Sequence, residues 1–169
     1  MTPFLFLLAA VNPLLTLRES DVPAQPIPFA QIQPEHVGPA VEARLAEARE
    51  KFAAWKGRTA PATFQNTVAA FRVIDQDLAF TISVVRNIDS TATTPEFQKA
   101  SAAAIPPAMA FRQSLSMDPA AAAKITAFAN SPGAENLPAP DRRLLDLTLQ
   151  SFRRNGAQLD LLRKYGVAQ

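Results

Sequence analysis

From Pro34 onward the chain repeats apolar residues at steps of three and four. Val37, Val41, Leu45, Ala48, Phe52 and Trp55 fall on one helical face, with Glu42, Arg44, Glu47, Arg49 and Glu50 on the others. The pattern predicts an amphipathic helix that stops near Gly57. Pro39 lacks an N–H and is expected to separate a short opening turn from the main helix. A second stripe, Val68, Phe71, Ile74, Leu78, Ile82 and Val85, predicts a helix capped by Thr63 and running to about Ile88. Residues 89–93 read as loop. Thr94-Pro95-Glu96 supplies an N-cap, a first-turn proline and an early acid, which together start a third helix. Pro106-Pro107 is expected to kink or break that helix. Asp118, in the turn Met117-Asp118-Pro119, can cap a short helix through about Ala129. Residues 130–140 read as loop. Asp141 starts or supports a last helix with Leu144, Leu145, Thr148, Leu149 and Phe152 on one side, interrupted by Gly156. No stretch of five or more residues alternates as a strand does. The expected fold is all-α: an antiparallel helical bundle of about five helices joined by Pro-rich loops.

The N-terminal part reads differently. Phe4 to Val11 is an unbroken apolar run of signal-peptide length, but no Lys or Arg precedes it. The cut points it offers, after Val11 or after Ala24, are both imperfect. Three readings stay open: an exported protein with a leader at 1–11 or 1–24, a cytoplasmic one whose apolar arm packs on the domain, and a misassigned start codon. The apolar stretch through Leu17 is too short to span a membrane, which takes ~20 residues. Pro23, Pro26, Pro28 and Pro34 make residues 18–34 an extended segment. The expected division is an arm at 1–33 and a helical domain at 34–169.

Composition narrows the chemistry. The 169 residues are one domain's worth, and the 48% apolar content can offset the entropy of ordering. The chain has no Cys and one His, His36. Thiol chemistry and Cys-based metal sites are therefore excluded, and a multi-histidine metal site cannot form within one chain. Glu35-His36 stands at a helix start, where a histidine more often caps or packs locally than ligates. The five glycines, at 38, 57, 133, 156 and 166, are too scattered for a phosphate loop or a Gly-x-Ser-x-Gly elbow. The pI of about 9.3 rests on a net charge of only +2, a weak argument for nucleic acid. Basic pairs at Arg142-Arg143, Arg153-Arg154 and Arg163-Lys164 could share a helical face unless Gly156 breaks the alignment, as a surface for an anionic partner or nucleic acid, as a solvated face, or as one that docks on another part of a larger protein. Asp75 with Asp77, and Glu47 with Glu50, are expected on solvated helical faces. The residues mark no catalytic, cofactor-binding or metal-binding set.

Taken in order, several segments resemble the N-terminal helical region of the M3 family of zinc metallopeptidases, the oligopeptidase A, dipeptidyl carboxypeptidase and thimet oligopeptidase group. They are Asn12-Pro13-Leu14-Leu15, the run from Ile27 to Val37, Pro39-Ala40-Val41, Thr63-Phe64-Gln65-Asn66-Thr67-Val68 and Thr94-Pro95-Glu96-Phe97. Near the end come Asp141-Arg142-Arg143-Leu144-Leu145 and Phe152-Arg153-Arg154-Asn155-Gly156-Ala157. Each motif alone is weak; their order and spacing over roughly 12–160 carry the resemblance.

The resemblance implies a structural role. In the family this region forms part of one wall of a deep channel that admits short, unfolded peptides. The family's His-Glu-x-x-His zinc motif has no counterpart here, so no catalytic or zinc-binding residue carries over. The expectation is a non-catalytic, channel-wall region that is inactive alone and partnered by a catalytic domain or by short peptides. The alternative is a stand-alone helical module that binds peptides or a partner peptidase. Neither expectation includes a nucleic acid or a membrane span.

Overall fold

The computed structural model describes residues 12–21 and 26–155. Among them it is all-α, with no strand. A one-turn helix α1 (Pro13–Thr16) leads to α2 (Pro34–Gly57). After a loop come a π-helical turn (Gln65–Ala69), a short α3 (Ala70–Arg72) and α4 (Gln76–Thr91). Then follow α5 (Pro95–Met117), α6 (Pro119–Ala129) and α7 (Ala139–Arg154). The five helices longer than ten residues are those the periodicity outlined. The proposed leader cut points and the Arg163-Lys164 pair lie outside the described residues.

Contacts at the helix ends fix the directions. Phe52 meets Phe111, and Lys56 meets Asp118, so α2 and α5 lie side by side and parallel. Lys51 reaches Asp77, Arg112 reaches Asp75 and Ser101 reaches Asp89, so α4 runs against both. The sequence neighbours α2/α4 and α4/α5 are thus antiparallel, and α2, α4 and α5 form a three-helix core. One apolar cluster, including Val37, Val41, Ile82, Val85 and Phe97, fills its first half, together with Leu14 and Ile32 from before α2. A second cluster joins the far ends of α2 and α5 to α6, α7 and the π turn through Trp55, Val68, Ile125, Phe128 and Phe152.

Local chemistry sets the helix starts. Asp118 accepts from the Ala121 N–H at 2.8 Å, and Thr94 accepts from the Phe97 N–H at 3.2 Å, as N-caps do. Thr63 and Asn66 bond reciprocally: the Asn66 N–H donates to Thr63 Oγ1, and the Thr63 N–H to Asn66 Oδ1.

Three expectations are corrected. Pro39 does not divide α2, which is continuous from Pro34 to Gly57. Nor does Pro106-Pro107 break α5, which runs 23 residues from Pro95 to Met117. The physical reason is placement. Pro39, Pro106 and Pro107 are exposed, as are Glu35, Ala102 and Ala103 four residues earlier, so the carbonyls left without an N–H can turn to water. The predicted 63–88 helix is not one helix. It opens with the π turn, is interrupted at Val73–Asp75, and resumes as α4 to Thr91. The interruption is a tightened turn, with the Ile74 N–H bonded to the Phe71 carbonyl at 3.3 Å. One departure widens the coil and the other tightens it, so Val68, Ile74, Leu78, Ile82 and Val85 all stay buried.

Candidate functional site

The singled-out residues do not converge. His36 Nδ1 accepts the Gln33 N–H at 3.0 Å, so the only histidine closes the first turn of α2. Asp75 is held by Arg112 Nε at 2.6 Å. Asp77, at the start of α4, takes Arg18 and Lys51. Glu47 on α2 takes Arg18 at 3.1 Å, Arg44 at 2.9 Å and Lys51 at 3.5 Å. Glu47, Asp75 and Asp77 are therefore not on freely solvated faces as expected; they bridge elements at partly buried positions, and only Glu50 is fully exposed. The cause is long-range pairing that helical spacing alone does not reveal. Burial opposes ionisation of Glu47, but hydrogen bonds from Arg44 and Arg18 and the charge of Lys51 outweigh it and hold the carboxyl down at about 2.

No group of three or more His, Cys, Asp or Glu gathers as a metal site among the described residues. The zinc of the resembling family does not fit these side chains, since His36 is a capping acceptor and the inter-helix acids are bound to Arg and Lys. Nor is any described helix long and apolar enough to cross a membrane.

The quoted motif residues serve as fastenings. Asn66 donates to the Pro61 carbonyl at 2.9 Å and accepts from Thr67 Oγ1 at 2.8 Å. The Thr67 carbonyl, inside the π turn, accepts the indole N–H of buried Trp55 at 3.0 Å. Lys124 of α6 then closes the end of α2. Its ammonium donates to the carbonyls of Trp55 at 2.8 Å and Arg58 at 3.0 Å, and lies 5.0 Å from the Trp55 ring centroid. Of the basic pairs, Arg142 is spent on the carbonyls of Ala134 and Glu135, whereas Arg143, Arg153 and Arg154 are exposed.

Among the grooves of the described residues, two combine apolar walls with polar groups from different elements. One, of about 290 Å³, lies where Phe71, Asp75 and Arg112 face Leu144, Leu147 and Thr148 of α7. The other, of about 460 Å³, lies between Phe29, Gln33, Ile88, Thr94 and Phe97. Each offers apolar walls with a few polar groups, suited to holding a side chain of an extended ligand by contact. Arg112, Arg44 and Lys124 were missed by sequence reasoning. Apart from Glu47 beside Arg44, their partners from other elements lie 27 or more residues away, and no local spacing signals such pairs.

The described residues form an all-α helical bundle. No family model matches the chain. Over 89 residues, 53% of its length, the chain is 35% identical to oligopeptidase A of Escherichia coli (strain K12). That match spans 12% of oligopeptidase A. The chain is thus related, at a low level, to a region of an M3 peptidase.

Proposed function

We propose that this helical region is a non-catalytic wall of an M3-type zinc oligopeptidase, bordering the path by which short, unfolded peptides reach the zinc centre. The observation that carries the proposal is the 35% identity to oligopeptidase A over 89 residues, in a chain whose motifs follow one another in the order of the family's N-terminal region. The architecture supports it physically. Motif residues such as Thr63, Asn66 and Thr67 brace the bundle and hold Trp55. A braced helical wall excludes folded proteins by shape and lets extended peptides pass. Hydrolysis needs two histidines one helical turn apart with a glutamate to activate water, and these come from elsewhere.

The test is a peptidase assay on quenched fluorescent peptides, with the purified chain alone and mixed with a separately produced polypeptide carrying His-Glu-x-x-His. The proposal expects no zinc-dependent turnover by the chain alone and zinc-dependent turnover in the mixture. Turnover by the chain alone, abolished by a chelator, overturns it.

A further inference from the structure

Residues 12–18 precede the first long helix, yet they are bonded into the bundle like one of its own elements. Asn12 Oδ1 accepts the Leu14 N–H at 3.0 Å and so caps α1, while Asn12 Nδ2 donates to the His36 carbonyl on α2 at 2.8 Å. Leu14 is 2% exposed and Leu17 5%. The centre of the attachment is Arg44 on α2, a guanidinium only 4% exposed. Its Nη2 donates to the carbonyls of Leu15 and Leu17, both at 2.9 Å, and its Nη1 to Glu47 at 2.9 Å. Two of the three acceptors of this buried cation are thus backbone of the arm. Arg18 adds an ion pair to Glu47 and another to Asp77.

Arg44 Nε is buried without a partner, so the cation rests on its Nη bonds, and taking those acceptors away leaves a buried charge uncompensated. The arm and Arg44 therefore stand or fall together. We infer that residues 12–18 are a permanent element of the helical domain, latched by Arg44, and that any leader removal leaves Asn12 onward in place. Of the two cut points the sequence offers, the one after Val11 preserves every bond named above. The one after Ala24 removes Leu14, Leu17 and both arm acceptors of Arg44.

The experiment compares chains beginning at Met1, Asn12 and Gln25 by thermal unfolding, each with and without Arg44→Met. The Asn12 chain is expected to melt within about 2 °C of the full chain, and the Gln25 chain about 10 °C or more lower, or to be unfolded. Arg44→Met should lower Tm in the Asn12 chain. In the Gln25 chain it should leave Tm unchanged or raise it, because the cation there has lost its acceptors. Equal Tm values for the Gln25 and full chains, or the same Arg44→Met loss in both backgrounds, overturn the inference. Hydrogen exchange on the intact protein decides the matter even if the Gln25 chain does not fold. The backbone amides of Leu14–Leu17 should be protected alongside those of α2. Exchange of these amides at free-peptide rates, with α2 still protected, overturns the latch.

Discussion

Replacing Glu47 by Gln keeps the shape of the side chain and removes the charge that Arg18, Arg44 and Lys51 share. In the folded protein the carboxyl titrates at about 2 rather than at its ordinary 4.5, because the cations outweigh the opposing effect of burial. The folded value is the lower one, so the contribution to stability is fully present above pH 4.5 and is lost as pH falls towards 2. A shift of that size corresponds to about 3 kcal/mol. The side chain is 31% exposed, and solvent screening reduces this to about 2 kcal/mol. For a domain of this length the expected consequence is a fall in Tm of about 4–8 °C at pH 7. The assay is thermal unfolding followed by circular dichroism and by the fluorescence of Trp55, the only tryptophan and a buried one, at several pH values between 2 and 7. The gap should shrink to a small remainder near pH 2, where the Glu47 carboxyl of the folded protein is about half protonated. A gap below about 1 °C at pH 7, or a gap that persists unchanged at pH 2, refutes the reasoning.

Three further substitutions probe other parts of the structure. Phe152→Ala empties a site that is 1% exposed beside Phe71, and should cost roughly 3–5 kcal/mol in urea unfolding; a loss under about 1 kcal/mol contradicts the seating of α7. Lys124→Met keeps the stem but removes the ammonium from the α2 carbonyls, and should cost about 1–2 kcal/mol by the same assay, against no change if that closure is idle. Pro106→Ala returns an N–H to the exposed side of α5 and should raise stability by about 1 kcal/mol or more; a lower Tm means the proline is needed where it stands.

Much of the fold was legible in the sequence because the signals were local. The stripes from Val37 to Trp55 and from Val68 to Val85 mark core faces, and Thr63, Thr94 and Asp118 cap as their positions promise. The prolines misled because sequence shows the missing N–H but not which side of the helix it falls on. Pro39, Pro106 and Pro107 lie on exposed sides, and the helices continue. The interruption at Val73–Asp75 was hidden because the π turn and the tightened turn compensate each other and preserve the period. The site was less legible. Arg44 sits among Glu42, Glu47 and Arg49 in a stretch that reads as solvated, and only the carbonyls of Leu15 and Leu17, 27 or more residues away, explain its burial. Asp75 gave no hint of Arg112, nor Trp55 of Lys124, for the same reason.

The central claim is that this bundle forms a wall of a peptide-hydrolysing enzyme and supplies no catalytic group itself. Its most direct test is a chimaera of oligopeptidase A in which the matched region is replaced by the corresponding residues of this chain. The measurement is zinc-dependent cleavage of a short quenched peptide beside cleavage of a folded protein. The chimaera should cleave the peptide and leave the folded protein intact, and peptide cleavage should be lost when the region is deleted instead. A folded, zinc-loaded chimaera that does not turn over the peptide, or a deletion that leaves turnover unchanged, contradicts the claim.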